Sequence, residues 1–138
     1  MECQASTVAD EESGIRRPGA VLVVDDDEDI RDVIRGVLEP EGYLTILTGD
    51  GEEALACLRD GSIRIGLILL DLLMPKMDGW EFQRQRRGNP EIEKIPLVVV
   101  TAHSGTLRDG IPDHSPVPVM AKPIDFNRLL QLAARYCS

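Results

Sequence analysis

Residues 20–30 read AVLVVDDDEDI, an apolar run followed at once by five acidic residues. The run from Val21 to Val24 has the unbroken apolar character of a strand that is buried on both faces. Five neighbouring carboxylates repel one another, so either water solvates them or a positive partner belongs beside them. The stretch therefore predicts a buried strand that delivers acidic groups to one edge of a sheet.

The rest of the chain alternates strand patterns with helix patterns. We expect strands at 21–24, 43–48, 66–70, 97–100 and 117–121, with helices beginning near residues 30, 50, 80 and 126. The segment 103–115 contains two glycines and a proline, so the fourth helix is expected to be short or irregular. Repeated strand-helix units predict an α/β fold with a doubly wound parallel sheet and helices on both faces.

Length and composition limit the classes of function. The 138 residues fit one domain at 20–138, preceded by a polar leader at 1–19 that we expect to be disordered. With 15 basic and 24 acidic residues the net charge is −9, which disfavours nucleic acid and anionic membranes as partners. The three cysteines show no disulfide or zinc pattern, and no signal peptide or membrane span is visible, so we expect a cytoplasmic protein.

Polar residues follow four of the predicted strands directly. They are Asp25 and Asp26 after the first strand, Asp71 after the third, Thr101 after the fourth and Lys122 after the fifth. Ligands of doubly wound sheets bind at the carboxyl ends of the strands, so these side chains are expected to meet. Three carboxylates suit Mg²⁺, while the lysine and the hydroxyl suit a phosphoryl group, with Asp71 as a possible nucleophile.

Four blocks in this order, LVVDDDEDIRDVI, LILLDLLMPKMDG, VVVTA and MAKPID, resemble the receiver domain of bacterial two-component response regulators. The resemblance covers roughly residues 18–138. It implies a flavodoxin-like fold of five parallel strands in the order 2-1-3-4-5. It also implies a signalling module and not an enzyme, apart from phosphorylation and dephosphorylation of its own aspartate.

The resemblance assigns roles to the acidic residues. Asp71 would be the phosphoacceptor, and it would receive phosphate from a histidine kinase or a phosphotransfer protein. Asp26 and Asp71 would bind Mg²⁺ directly, the backbone carbonyl of Leu73 would add a ligand, and Asp25 would act chiefly through a ligand water. No catalytic base is implied.

The resemblance also assigns the residues that would touch the phosphoryl group. Thr101 would donate a hydrogen bond to it and Lys122 would pair with it, with the following Lys-Pro bond cis. Ala102 is small and would leave the acyl phosphate accessible, and His103 lies where receivers tune phosphate lifetime. Val119 departs from the aromatic residue that many receivers have three positions before the lysine, so the output surface is expected to differ.

Simpler interpretations stand beside these roles. Asp27, Glu28 and Asp29 can be explained as acids that cap and solvate a helix start. A calcium loop is disfavoured because its sixth position is Ile30 and its twelfth is Gly36.

Three functions are left open. The favoured one is a stand-alone receiver that signals to an unknown downstream protein by contact. The second is a phosphohydrolase working through an aspartyl phosphate, which would need an aspartate where Leu73 stands. The third is a protein-binding module that has kept the fold but does not depend on phosphate.

Overall fold

The predicted alternation of strands and helices builds a single parallel sheet. The computed structural model of the chain describes residues 19–71, 79–101 and 119–137. The strands are β1 (Ala20–Val24), β2 (Thr45–Thr48), β3 (Ile65–Leu70), β4 (Leu97–Thr101) and β5 (Val119–Ala121). Their order across the sheet is β2-β1-β3-β4-β5, and every neighbouring pair is parallel. This topology confirms the predicted fold and strand order.

Helices connect the strands and cover both faces of the sheet. They are α1 (Glu28–Leu38), α2 (Gly51–Asp60), α3 (Gly79–Arg87), α4 (Pro90–Glu93) and α5 (Phe126–Cys137), with a 3-10 turn at Glu39–Glu41. The first two begin with acidic caps: the Asp27 side chain accepts the N–H of Asp29, and the Asp50 side chain accepts the N–H of Glu53. These bonds satisfy helix N–H groups that have no partner within the helix. The capping interpretation of the acids after β1 is thereby confirmed for Asp27.

The side chains of β1 show how the two faces of the sheet are packed. Val21 and Val23 lie in a core layer that contains residues of α1 and α5, while Leu22 and Val24 lie in a layer that contains residues of α2 and α3. All five residues of β1 and all six of β3 are buried. A strand covered by helices on both faces has no solvent side, which explains the continuous apolar run in the sequence.

Two strand and helix expectations were wrong in detail. The second strand begins at Thr45 and not at Tyr43, whose N–H donates to the carbonyl oxygen of Leu38 at the end of α1. The sequence of α3 predicts a largely solvated helix with Phe82 packed inward; Phe82 is buried as predicted, but the side chain of Gln83 is fully buried as well. Charged residues surround Phe82 and Gln83 in the sequence, so the pattern of α3 does not show which of its faces is buried.

Arg86 is nearly buried because its guanidinium closes the turn that follows α3. It donates to the carbonyl oxygens of Glu93 at 2.7 Å and Ile95 at 2.6 Å. The short helix α4 was not predicted, although its signals are present: the Asn89 side chain accepts the N–H of Glu91, and proline occupies the first helical position. Arg86 thereby ties α3 to the entry of β4.

Several expectations fall on residues outside the described ranges. These are the disordered leader, apart from its last residue Gly19, and the short or irregular fourth helix expected at 103–115. Gly19 itself is buried against β3. The packing is so close that a Cβ atom added to Gly19 would lie 2.7 Å from the Cα of Gly66.

The end of α5 packs closely on the start of β3. A Cβ atom added to Gly66 would lie 2.7 Å from the carbonyl oxygen of Tyr136 and 3.0 Å from the Sγ atom of Cys137. The Cys137 thiol is fully buried, and burial raises its pKa to about 12. Only glycine at position 66 allows this approach of helix to strand.

Substitution of Gly66 tests this packing. We expect Gly66→Ala to lower the free energy of unfolding by about 1–3 kcal/mol, because the added methyl overpacks the contact with α5. Gly36→Ala is the matched control: nothing lies within 4 Å of its added Cβ on the exposed face of α1. In a helix interior that change stabilises by about 0.5–1 kcal/mol. Urea unfolding measures both, and equal stabilities of the two variants would contradict the packing.

Candidate functional site

The pairing of β1 with β3 places the acidic residues side by side. Val24 lies opposite Leu70 in the register, and the N–H of Asp71 donates to the carbonyl oxygen of Val24 at 2.9 Å. The residues that follow the two strands, Asp25 and Asp71, therefore leave the sheet at the same edge. Sheet register thus brings together acids that are distant in sequence.

Asp25, Asp26 and Asp71 form one carboxylate cluster. Each offers an oxygen, and these three oxygens lie within 4.8 Å of one another. Asp25 and Asp71 are buried, whereas Asp26 is exposed to solvent. Within the described residues this is the only group of three or more acidic, histidine or cysteine side chains gathered so closely.

Lys122 reaches the cluster from the far side of the sheet. It follows β5, which is separated from β1 by β3 and β4. Its Nζ atom lies 2.9 Å from Oδ2 of Asp25 and 3.7 Å from Oδ2 of Asp71. The Lys122-Pro123 peptide bond is cis, as the resemblance implied. The ammonium of Lys122 is thus a positive partner of the carboxylates, while the divalent cation expected from the sequence stays a prediction.

The pKa of Lys122 reflects a balance between burial and charge. Burial is the largest influence and lowers this pKa, but the hydrogen bond and charge of Asp25, followed by the charge of Asp71, raise it. The net effect raises the pKa above the ordinary value of lysine. Lys122 is therefore charged at neutral pH and partly offsets the repulsion among the carboxylates.

Both carboxylate oxygens of Asp25 are already engaged by the protein. Oδ1 accepts the N–H of Asp27 at 2.9 Å, and Oδ2 accepts a hydrogen bond from Lys122 at 2.9 Å. Its backbone N–H donates to the carbonyl oxygen of Thr48 at 3.1 Å. The Asp25 side chain is thus fixed in the cluster before any ligand arrives.

The donor set suits a hard divalent cation. Three carboxylate oxygens at one edge supply the ligand type that Mg²⁺ prefers, and the exposure of Asp26 leaves room for water in the remaining positions. The residues present therefore fit Mg²⁺, with Asp25, Asp26 and Asp71 as the side chains that would hold it.

The other predicted site residues are only partly described. Thr101 is the last residue of β4 and lies in register with Ala121, one residue before Lys122, so its backbone belongs to this edge. Its side chain lies outside the description. Leu73, Ala102 and His103 fall outside the described ranges, and their predicted roles stay predictions.

One residue near the cluster was not predicted from the sequence. Nη1 of Arg31 donates to the backbone carbonyl oxygen of Asp25 at 2.7 Å. The sequence does place a basic residue one turn inside a helix that begins with acidic residues. The same pattern is equally typical of a solvated helix face, so it does not predict this contact.

Comparison with known proteins agrees with the fold. Residues 21–134 match the sequence model of the response regulator receiver domain. The chain belongs to this family. Receiver domains are signalling modules of two-component systems, they bind Mg²⁺ at an acidic pocket, and they interact with histidine kinases or phosphotransfer proteins.

Two curated relatives illustrate the range of chains that carry this domain. An uncharacterised 14.6 kDa protein of Leptolyngbya boryana is 35% identical over 123 residues, which cover 85% of this chain and 88% of that protein. The DNA-binding response regulator MtrA of Mycolicibacterium smegmatis is 34% identical over 110 residues, which cover 75% of this chain and 46% of MtrA. The chain therefore spans less than half of that regulator.

Two solved structures share the fold. The chemotaxis response regulator CheY4 of Vibrio cholerae superposes with a TM-score of 0.72 at 28% identity, covering 86% of this chain and 98% of CheY4. The response regulator TrrA of Thermotoga maritima, solved in complex with Mg²⁺ and BeF, gives a TM-score of 0.71 at 27% identity, covering 85% of this chain and 97% of TrrA.

In the described parts of our chain, none of the helices has the length and apolar character needed to cross a membrane.

Magnesium binding should stabilise the receiver. At ten times the dissociation constant, mass action raises the free energy of unfolding by about 1.4 kcal/mol. We expect Asp26→Asn to weaken the stabilisation by Mg²⁺ because it removes one negative charge from the carboxylate cluster. Asp29→Asn makes the same charge change on the exposed first turn of α1 and should behave like wild type. Urea unfolding with MgCl₂ or KCl at equal ionic strength measures the difference; an equal response of both variants would argue against the cluster as the site.

The ion pair of Lys122 should appear in the stability at high pH. Because the folded pKa is raised, the folded state holds a proton that the unfolded state releases above about pH 10.4, so stability falls from there through the folded pKa. At pH 7, Lys122→Met should lower the free energy of unfolding by about 1–3 kcal/mol. The variant should also lack the part of the loss of stability at high pH that comes from Lys122. Lys94→Met, which removes an exposed lysine paired with Glu91, is the control. Parallel pH profiles for wild type and Lys122→Met would contradict the assignment.

Proposed function

We propose that this receiver accepts a phosphoryl group on Asp71 from a histidine kinase or a phosphotransfer protein in the presence of Mg²⁺. The observation that carries the proposal is the meeting of three carboxylates with the ammonium of Lys122 at the carboxyl edge of the sheet. This is the place where doubly wound sheets bind ligands. The proposal gives each of these side chains a separate task.

Asp71 is the nucleophile in this proposal. Its carboxylate is buried and held at the sheet edge by its backbone bond to Val24, so one oxygen can be presented to phosphorus with little loss of freedom. The new bond joins this oxygen to phosphorus while the bond from phosphorus to the donor breaks, and the donor keeps the electron pair. With a phosphohistidine donor, a neutral imidazole is the final leaving group once it gains a proton.

Lys122 and Thr101 bind the transferred group in this proposal. The Lys122 ammonium already lies 3.7 Å from Asp71, so a phosphoryl group on Asp71 would come within its reach. The Thr101 hydroxyl is proposed to donate to a phosphoryl oxygen. Ala102 would keep the group accessible, and His103 would tune its lifetime.

Asp25 and Asp26 are proposed to hold the cation together with Asp71 and the backbone carbonyl of Leu73. A bound Mg²⁺ would neutralise the carboxylates and the phosphoryl oxygens, which lowers the charge repulsion that otherwise opposes transfer. The engaged oxygens of Asp25 favour a role through water, while the exposed Asp26 is free to bind directly.

The phosphorylated receiver is proposed to signal through contact with a downstream protein, in the cytoplasm. Cys57 and Cys137 are both buried thiols, which suits a reducing compartment. The net charge of −9 supports a protein partner over nucleic acid. The stand-alone arrangement expected from the sequence stays a prediction.

Chemical phosphorylation tests the proposal directly. Incubation with acetyl phosphate and Mg²⁺ should add one phosphoryl group, seen by intact mass, and chelation of Mg²⁺ should abolish it. Borohydride reduction followed by a peptide map should locate the modification at Asp71.

Two variants make the assignment specific. Asp71→Asn should give no mass gain, whereas Asp32→Asn, which alters an exposed carboxylate paired with Arg35 on α1, should react like wild type. A gain that survives Asp71→Asn would overturn the assignment. No gain in the wild type would favour a binding module that does not use phosphate.

A further inference from the structure

Arg31 contacts the backbone beside the carboxylate cluster. Its backbone N–H donates to the carbonyl oxygen of Asp27 at 3.1 Å, which places it one turn inside α1. Its side chain turns back toward the helix start, as long helical side chains do, and Nη1 donates to the carbonyl oxygen of Asp25 at 2.7 Å. The guanidinium therefore spans the turn that carries the acids.

The contact occurs where the strand ladder stops. The N–H of Asp25 donates to Thr48, the last residue of β2, so both backbone groups of Asp25 point toward that strand. A Cβ atom added to Gly49 would lie 3.4 Å from Nη1 of Arg31, which places the guanidinium at the same end of β2. A side chain thus holds the first carbonyl beyond the β1–β2 pairing.

This carbonyl belongs to the peptide that leads into Asp26. The oxygen of Asp25 lies in the rigid plane of the peptide bond between Asp25 and Asp26, so holding the oxygen fixes that plane. The Asp26 side chain is exposed, and among the described contacts no hydrogen bond holds its carboxylate. Its place in the cluster therefore depends on the backbone that Arg31 fixes.

We propose that Arg31 is a positioning residue that orients the Asp25-Asp26 peptide so that the Asp26 carboxylate faces Asp71. The inference rests on the proposed function, because Mg²⁺ binding is where the orientation has its effect. It goes beyond that function, since the observed contact of Arg31 is with the backbone oxygen of Asp25 and not with a carboxylate of the cluster.

A purely electrostatic role for Arg31 would have the opposite sign. Removing a positive charge beside three carboxylates makes the site more negative, which by itself strengthens the binding of a cation. Loss of a positioning contact weakens binding because Asp26 no longer has a fixed direction. The sign of the change in Mg²⁺ affinity therefore separates the two roles.

The experiment compares Arg31→Met with Arg35→Met. Arg35 lies one turn further along α1 and makes an exposed pair with Asp32, so its substitution removes the same charge without touching Asp25. Mg²⁺ affinity is measured by calorimetric titration. We expect Arg31→Met to bind Mg²⁺ three- to tenfold more weakly than wild type, and Arg35→Met to bind within twofold of wild type.

A second measurement needs no metal. The N–H of Asp27 donates to Oδ1 of Asp25, so its hydrogen exchange reports the order of this turn. In metal-free protein we expect about tenfold faster exchange at this amide in Arg31→Met and no change in Arg35→Met. If Arg31→Met fails to fold, Arg31→Lys and Arg35→Lys replace the pair, with weaker binding expected again for the change at position 31.

The outcomes are distinct. Weaker binding together with faster exchange supports the positioning role. If the wild-type protein binds Mg²⁺ and accepts phosphate, unchanged or tighter Mg²⁺ binding by Arg31→Met overturns the positioning role of Arg31 and leaves the proposed function standing. A wild-type protein that does not bind Mg²⁺ overturns the proposed function and this inference together, and the exchange rates then show whether Arg31 still orders the turn.

Discussion

The ion pair between Lys122 and Asp25 joins residues that are 97 positions apart in the chain and that lie on opposite sides of β3 and β4. It can form only when all these strands are paired in register, because each strand sets how far its terminal side chain projects. The same ammonium also lies 3.7 Å from Asp71. The charge balance of the site therefore depends on the complete assembly of the sheet.

The surrounding core explains how like charges can be kept together. Every residue of β1 and β3 is buried between two layers of apolar side chains, and that burial supplies a large favourable free energy. The acids begin only after these strands end, so their repulsion is confined to the rim. A folded scaffold can tolerate such local strain where function requires it, provided that the packing elsewhere is sufficient.

Much of this arrangement was predictable from sequence because it depends on patterns that repeat at fixed spacing. Asp25, Asp26 and Asp71 follow buried strands, Lys122 follows the partly exposed edge strand β5, and parallel topology places these strand ends together. Arg31 was not predictable in the same way, because its contact depends on how a flexible side chain bends back over one helical turn. The burial of Gln83 and Arg86 was missed for a related reason: the polarity of α3 suggests solvent, and only the geometry of α4 shows where the guanidinium bonds are made.

The contact between α5 and β3 has a consequence for how the protein responds to its chemical surroundings. A thiol must lose its proton before it reacts with oxidants or electrophiles, and burial, which raises the pKa of Cys137 to about 12, keeps this thiol protonated at neutral pH. In the folded protein this sulfur therefore serves as an apolar packing atom between the last helix and the sheet, and not as a nucleophile.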